Sequence, residues 1–267
     1  MLRPALLVTA FALVMLNISP PIARSQDFTG LDVTSESFTK ADMSRDDVIQ
    51  SLAELPAGAE LDLTGKSLNG LDLSGLDLRR IKLQAARINK TNFKDSNLDG
   101  VTLDQAWALK SDFSGASLKG ASLFATQLWD ARLDGADLSN ARVAADFTNA
   151  SLKDAQFDGA NLSADETNQS MGLMRGVLKS ANLDGASFRK ANLARVMMEF
   201  ASLRDADLTD ANLKNSELAA ADFTGANVAG ANFEGADLNS AHIGEMKNTA
   251  KAKNLDKAKN LDKAFRN

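Results

Sequence analysis

The sequence contains few side chains that could carry out chemistry together. It has no cysteine and a single histidine, His242, so neither a Cys–His nor a Ser–His–Asp arrangement can be assembled with support from the sequence. Glycine-rich phosphate loops and paired metal-ligand motifs are also absent from it. The residue types therefore predict a protein that is not an enzyme and that uses no metal ion and no cofactor.

Aspartate is the polar residue that recurs at a fixed place in a pattern. In one five-residue frame, an aspartate directly precedes an apolar residue at Asp62, Asp72, Asp77, Asp112, Asp137, Asp207, Asp222 and Asp237. Short polar side chains at chain bends usually accept hydrogen bonds from nearby backbone N–H groups. We therefore predict that these carboxylates stabilise turns, and that they neither bind a metal ion nor act in catalysis.

The elements that position these residues follow from a five-residue repeat. An apolar residue occupies every fifth position from Leu63 to Val143 and again from Leu173 to Ile243, usually with a small residue two places before it. Residues that are five positions apart lie on different faces of a helix and on alternating faces of a straight strand. The repeat thus predicts a chain that bends after every five residues, with the apolar and small residues inside the resulting coil.

The motif Ala-(Asp/Asn)-Leu-x-x, seen for example at residues 181–185 and 191–195, resembles the repeat of the pentapeptide-repeat protein family over residues 61–244. The resemblance implies an all-β fold, a right-handed quadrilateral parallel β-helix in which four repeats make one turn. The buried ladder of this coil is expected to contain Leu63, Leu83, Phe113, Leu183 and Phe223. The resemblance also implies an alternative function, because the best-understood family members bind type II topoisomerases such as gyrase by imitating DNA with an acidic rod.

Residues 1–25 have the features of a signal peptide. Arg3 precedes an apolar run from Ala5 to Leu16, and Ala23-Arg24-Ser25 provides a cleavage site. We therefore predict that the mature chain begins near Gln26 and is exported, to the periplasm, to the cell exterior or, in a cyanobacterium, to the thylakoid lumen. An uncleaved membrane anchor is the alternative interpretation, although the apolar run is short for a transmembrane helix.

Residues 26–60 are predicted to form a lead-in followed by a short capping helix. The five-residue frame is faintly continued by Phe28, Val33, Phe38 and Met43. This leaves open both a degenerate first coil and an irregular lead-in at residues 26–45. The Ser-x-x-acid sequence at Ser44 favours a helix start, and apolar residues recur at helical spacing from Val48 to Leu55, before Pro56. Such a helix would cover the open first turn of the solenoid.

Two irregularities interrupt the repeat. One residue is missing between Val143 and Phe147, and Leu162 and Leu173 are eleven residues apart where two regular steps need ten. The polar side chains of residues 166–168 cannot fill the core. We therefore predict that residues 164–170 bulge outward from one side of the coil.

Residues 245–267 are predicted to form a C-terminal cap and a basic tail, because the five-residue pattern ends at Ile243. A six-residue repeat, Lys-Asn-Leu-Asp-Lys-Ala, follows it. The spacing of the apolar residues in this repeat predicts a short helix, with an apolar edge formed by Leu255, Ala258, Leu261 and Phe265. The more specific alternative interpretation is that the basic tail binds a membrane surface or another polyanion.

One side of the predicted coil is the candidate interaction surface. Counted from Leu63, the second side carries the core residues Leu68, Ile88, Ala108, Leu128, Phe147, Phe188, Leu208 and Val228. The predicted interaction patch on it consists of Trp107, Leu109, Trp129, Arg87, Lys90 and Lys110. Exposed tryptophan beside cationic residues is typical of binding hot spots. The alternative is that Trp107 folds over the small residue Ala108 and belongs to the packing.

The sequence thus favours an exported, non-enzymatic scaffold that binds a macromolecular partner along this side. The expected partner is a protein or another component of the cell envelope, and no direct binding of nucleic acid is expected. A DNA-mimicking topoisomerase binder is the alternative function. The net charge of −5 permits it, whereas its cytosolic target conflicts with the predicted signal peptide.

Overall fold

The computed structural model describes residues 34–165 and 174–266. Contacts divide the chain into one unit at Met1–Leu31 and a second at Asp32–Asn267, and all described residues belong to the second. The predicted signal peptide, most of the predicted bulge, Phe28, Val33 and Leu173 lie outside the described residues. Within the described residues, no helix combines the length and the apolar character needed to span a membrane.

The described chain is a parallel coil whose neighbouring turns are joined by very short strands. Strand β1 (Leu61–Asp62) pairs in parallel with β2 (Ile81–Lys82). The ladder continues as single-residue bridges, such as Arg87 with Trp107 and Trp107 with Gln127. Partners therefore lie 20 residues apart, so four five-residue repeats make one turn. Each repeat contributes one bridge, because the backbone bends before a longer strand can form.

The core is the column of apolar residues at the centre of each repeat. All five residues of the predicted ladder are buried, namely Leu63, Leu83, Phe113, Leu183 and Phe223. The backbone N–H of a central residue donates to the next turn, as from Leu183 to the Ser202 carbonyl at 2.7 Å. The rings of Phe93 and Phe113 stack with centroids 4.7 Å apart. Most residues two places before the centres are buried too, and most of these are small, although Ile81, Val101 and Val196 are also accommodated.

Almost every regular bend contains one residue with a positive φ angle. Glycine occupies many of these positions, but lysine does so as well, at Lys90 (φ 56°) and Lys110 (φ 57°). At Gly225 two constraints act together, because φ is +73° and an added Cβ would lie 2.3 Å from Asp205 Oδ1. Elsewhere the bends accept charged side chains and expose them to solvent.

The two irregularities decide which residues share a side of the coil. At the missing residue, the chain turns through the buried Ala144 and Ala145. After Leu162 the next bridging residue is Val177, and the Gly176 N–H donates to the Leu162 carbonyl at 2.9 Å. The described chain therefore leaves the coil after Leu162 and rejoins it at Gly176, at the same corner.

The sequence-based membership of the candidate side is wrong beyond Phe147 for this reason. Because Val177 is the next bridging residue after Asn161, the bridge of Asp146 is followed on this side by those of Val177, Met197 and Glu217. The core residues that follow Phe147 are accordingly Leu178, Met198 and Leu218. A different ladder of bridges carries the three residues expected here, Phe188, Leu208 and Val228.

The lead-in lies across the outside of the coil. Ala41 bridges Leu68 in the antiparallel sense. The Asp42 N–H donates to the Ser67 carbonyl at 2.7 Å, and the Ser67 N–H donates to the Asp42 carboxylate at 2.8 Å. The interpretation as a degenerate first coil is therefore wrong for the described part, which includes the short helix α1 (Glu36–Thr39), because an antiparallel segment cannot continue a parallel ladder.

Helix α2 (Arg45–Glu54) begins where the sequence predicts a helix start. Ser44 is its N-cap and forms a capping box with Asp47. Val48 is buried against the core, and Leu52 packs beside it. Arg45 donates to the Ser74 carbonyl at 3.1 Å. Apolar and polar contacts together thus hold the helix to the first turns of the coil.

The C-terminal segment continues the coil with a six-residue step. The bridges to the preceding turn are made by Lys247, Lys253, Lys259 and Phe265. Between them lie three 3₁₀ turns, η1 (Thr249–Lys251), η2 (Leu255–Lys257) and η3 (Leu261–Lys263). The expected short helix is not formed, because a 3₁₀ turn at each corner takes up the sixth residue. Leu255 and Leu261 pack against the core.

Candidate interaction surface

The predicted patch lies on one side of the coil, which we call side A. Its bridging residues are Ser67, Arg87, Trp107, Gln127, Asp146, Val177, Met197, Glu217, Asp237 and Lys259. A second outward column stands two places later in each repeat and contains Leu109 and Trp129. Lys90 and Lys110 occupy the bends that follow this column. The six predicted residues therefore share side A, but they belong to two columns and to its bends.

Trp107 is covered by the lead-in. The ring of Phe38 meets the indole edge to face, with centroids 5.5 Å apart and planes at 82°, a favourable arrangement for two aromatic rings. Both side chains are half-buried. Packing therefore accounts for Trp107, and the residue that it packs against belongs to the lead-in rather than to the core.

Trp129, one turn further along, borders a cavity of about 360 Å³. Its other described lining residues are Thr34, Phe38, Asn89, Lys90, Leu109, Lys110 and Asp130. Four of the six predicted patch residues thus surround one cavity, whereas Arg87 and Trp107 are not among its described lining residues. Both lysines are exposed, while the leucine and the indole are half-buried.

A buried ladder of asparagines holds the backbone beside this cavity. The Asn69 Nδ2 donates to Ser67 Oγ at 2.8 Å, and Asn69 Oδ1 accepts from the Asn89 N–H at 2.8 Å and from Asn89 Nδ2 at 3.0 Å. Asn89 Oδ1 in turn accepts from the Leu109 N–H at 3.0 Å. Because an unsatisfied buried amide is costly, this ladder fixes the wall that carries Leu109.

The charge around the cavity is mainly positive. None of the ion pairs among the described residues includes Lys90 or Lys110. Nearby, the buried Nε of Arg87 has no hydrogen-bond partner in the described part of the chain. Asp130 is the one carboxylate among the described lining residues. The cavity can therefore receive an apolar group that is accompanied by negative charge.

The frame of aspartates stabilises turns, which confirms the prediction from the sequence. Each of the eight carboxylates accepts a hydrogen bond from the N–H two residues later. The pKa of Asp72 is lowered in this way, first by the Ser74 hydroxyl and then by the Ser74 N–H. No group of three or more side chains suited to bind a metal ion occurs within residues 34–165 and 174–266.

Several carboxylates also pair with cations of neighbouring turns. Arg189 lies 2.6 Å from Asp158, Arg204 lies 3.2 Å from Asp222, and Lys119 lies 3.2 Å from Asp137. Burial raises the pKa of Asp158, but hydrogen bonds from Arg189 and Ser187 outweigh that effect and leave this pKa lowered. The outer surface is therefore a mosaic of both signs rather than a continuous acidic stripe.

A family model named for pentapeptide repeats matches this coil in eight copies. The matches cover residues 62–100, 77–115, 96–140, 143–163, 177–210 and 201–239, which is well over half of the chain. The chain is a pentapeptide-repeat protein. In this pentapeptide-repeat chain, the matched segments break just before the missing residue and again at the insertion, and they end before the six-residue repeat. No curated protein sequence matches the chain significantly.

Two solved structures are similar to the pentapeptide-repeat chain. A trypsin-treated form of QnrB1, a plasmid-mediated fluoroquinolone resistance protein, has a TM-score of 0.52 and 17% identity over 76% of this chain and 91% of its own. HetL, a pentapeptide repeat protein involved in heterocyst differentiation regulation from the cyanobacterium Nostoc sp., has a TM-score of 0.49 and 25% identity over 83% of this chain and 94% of its own. The family and the similarity to QnrB1 show a right-handed β-helix.

Sequence reasoning missed four residues of the cavity wall, Thr34, Phe38, Asn89 and Asp130. Asn89 and Asp130 are sequence neighbours of predicted patch residues. The register of the repeat was therefore sufficient to place both of them near the patch. Phe38 carried a misleading signal, because its place in the five-residue frame suggests a core position. Its contact with the outer surface depends on how the lead-in folds back, which no periodicity encodes.

Proposed function

We propose that this chain is a non-enzymatic, exported scaffold that binds a protein partner of the cell envelope through side A. The observation that carries the proposal is the cavity of about 360 Å³ at Trp129, where aromatic and aliphatic walls stand beside Lys90 and Lys110. Aromatic residues and cations in one partly buried recess have the composition of a binding hot spot. No catalytic role is assigned to any residue.

In this proposal the coil is quadrilateral, and α2 caps its N-terminal end. Four bridges in every 20 residues support four sides, and the burial of Val48 against the core supports the cap. Flat sides built from stacked repeats offer extended surfaces, which solenoid proteins use to bind other macromolecules. Side A therefore suits a protein partner that spans several turns of the coil.

The cavity would accept one large apolar side chain of the partner, presented beside carboxylates. Its volume lies at the lower end of the range for ligand pockets, which suits a single aromatic or branched side chain. Lys90 and Lys110 are exposed at two successive bends. They are placed to pair with acidic residues that flank the inserted side chain, which would give the interaction its orientation.

The alternative function, a DNA-mimicking binder of type II topoisomerases, is supported less well. Imitation of DNA requires a dense and continuous line of negative charge. Here Asp137, Asp158 and Asp222 are paired with cations of the adjacent turn, and the bends of side A carry Lys90 and Lys110. The similarity to QnrB1 concerns the fold alone.

Site-specific photo-crosslinking tests the docking surface. A photoreactive phenylalanine analogue replaces Trp129 in one variant and Ser139 in the matched control, which lies in the same turn on another side and is also half-buried. We expect a crosslink to one envelope protein from position 129 only, and its loss when Lys90→Glu and Lys110→Glu are added. Equal crosslinking from both positions, or none from either, would overturn binding through side A.

Export is tested separately. Residues 1–33 are fused to a reporter enzyme that is active only outside the cytoplasm. We expect reporter activity, and we expect it to be lost when charged residues interrupt the apolar run between Ala5 and Leu16. An inactive fusion would remove export from the proposal and would leave the binding surface on side A to be judged by crosslinking.

A further inference from the structure

The six-residue repeat builds an end coil, residues 247–266, that closes the ladder. Its asparagines Asn248, Asn254 and Asn260 have left-handed backbone angles, with φ of 61°, 54° and 54°. Each side-chain amide donates to a polar side chain of the preceding turn, at 2.8, 2.9 and 2.8 Å. Among the described residues, no further turn pairs with this one. One face of the end coil is thus the last face of the solenoid that the structure describes.

Basic side chains are concentrated on the end coil. Its exposed cations are Lys247, Lys251, Lys253, Lys257, Lys259, Lys263 and Arg266, against the two acidic residues Asp256 and Asp262. Within the described chain, two of these cations form ion pairs, with Asp205 at 3.2 Å and with Asp210 at 4.0 Å. Since the whole chain has a net charge of −5, the end coil is a positive region on an otherwise acidic protein.

Phe265 adds an apolar group to the same region. It makes the last bridge of the end coil, its ring centroid lies 4.9 Å from that of His242, and 51% of the residue is exposed. An aromatic ring beside long cationic side chains is the combination that lies well in the headgroup region of a bilayer.

We propose that the end coil binds the surface of a membrane that contains anionic lipids. Clusters of four to eight lysines and arginines attract acidic headgroups, and Phe265 would enter the interface between them. The cations alternate between the sides and the corners of one turn, so they are distributed around the end coil. A plane of lipid phosphates can meet such a set at once, whereas a nucleic acid presents its phosphates along a line. This proposal goes beyond partner binding on side A and uses none of the residues that line its cavity.

Flotation of the full-length protein with lipid vesicles tests the proposal. The vesicles contain phosphatidylcholine alone or phosphatidylcholine with phosphatidylglycerol. The end-coil variant reverses the charge of Lys251, Lys253, Lys257 and Lys259 to glutamate. The matched control reverses four exposed lysines of other turns that form no ion pair with described residues, Lys66, Lys94, Lys153 and Lys190. The apolar run at the N-terminus is identical in all three proteins, so its own affinity for vesicles cancels in the comparison.

We expect the unmodified protein to bind anionic vesicles at least about tenfold more tightly than neutral ones, and the end-coil variant to lose about tenfold or more of that affinity. The matched control should retain it, and added salt should weaken binding of the unmodified protein. Phe265→Ser should reduce binding a few-fold without changing the salt dependence. Circular dichroism monitors folding, and Lys→Gln versions of both sets repeat the comparison if charge reversal unfolds the end coil.

Three outcomes would overturn the proposal. The first is equal binding to both kinds of vesicle. The second is an equal loss of affinity in the end-coil variant and the matched control, which would make the effect one of total charge. The third is tighter binding to duplex DNA than to anionic vesicles at equal charge concentration, which would assign the end coil to nucleic acid.

Discussion

Trp107 and Trp129 stand on the same side of the same coil, one turn apart, and their surroundings differ. Trp107 lies under Phe38 of the lead-in, with ring centroids 5.5 Å apart. Trp129 borders a cavity that Phe38 also lines, together with Leu109 and the exposed Lys110. The repeat places both tryptophans on the outside of side A, Trp107 in the bridging column and Trp129 in the second column. A segment outside the repeat packs the Phe38 ring on Trp107, so tertiary contacts as well as position within the repeat distinguish the two roles.

The largest loss of stability is expected for a substitution in the core. It provides a reference for the losses expected at the two tryptophans. Leu183→Asn places an amide in the closed interior, where no water can satisfy it, and should lower the free energy of unfolding by about 3 kcal/mol or more. Leu183→Met, which keeps the volume, should cost less than about 1.5 kcal/mol. Denaturant unfolding followed by circular dichroism measures both. A small loss for the asparagine variant would contradict the burial of this ladder.

The second effect concerns the cover over Trp107. Phe38→Ala should cost about 1–2 kcal/mol, because the side chain is half-buried and contributes an edge-to-face ring contact. In a Trp129→Phe background it should also shift the emission of Trp107 to longer wavelength, and the chain has no tyrosine to interfere. Phe200→Ala is the matched control, because Phe200 is 69% exposed, and its cost should stay below about 0.5 kcal/mol. Equal losses for the two alanine variants would place Phe38 outside the packing.

A third, smaller effect is expected in acid. The pKa of Asp47 is lowered by the N–H and then by the hydroxyl of Ser44, and that of Asp72 by Ser74, with a contribution from Arg45. A carboxylate whose pKa is lower in the folded state stabilises the fold above its ordinary pKa of 3.8, and this stabilisation is lost as the pH falls below that value.

Both carboxylates hold α2, so acid should loosen the lead-in before it melts the coil. The emission of Trp107, measured in the Trp129→Phe variant as the pH falls from about 5 to about 2.5, should shift before the circular dichroism of the coil changes. Simultaneous changes in the two signals would show that the lead-in and the coil unfold as one unit.

The regular part of the fold was predictable because one physical rule repeats. A five-residue step fits neither a helix nor a straight strand, so the burial of Leu183 and the turn-forming role of Asp72 follow from local chemistry. The insertion was harder, since Leu173 continues the five-residue frame although the next bridge belongs to Val177. The periodicity of the sequence gives only the spacing of residues along the chain. The side of the coil on which a residue lies depends on where the chain rejoins the coil.

The candidate site was predictable in part for the same reason. The repeat places Leu109, Trp129 and the two lysines near one another, and the cavity brings these four together. Phe38 could not be assigned from its five-residue frame, because its position depends on an antiparallel contact between Ala41 and Leu68. The end coil was also misjudged, since a 3₁₀ turn can absorb the sixth residue of each repeat without ending the ladder.

The same substitution at both tryptophans tests the account most directly. Thermal unfolding of Trp107→Ser and of Trp129→Ser is compared in the full-length protein. Loss of the covered indole should cost about 2 kcal/mol and lower the Tm by at least about 5 °C, whereas Trp129→Ser should leave it within about 2 °C, because that ring borders the open cavity. Equal decreases, or a larger decrease for Trp129→Ser, would assign Trp129 to packing and would contradict its role as a docking residue.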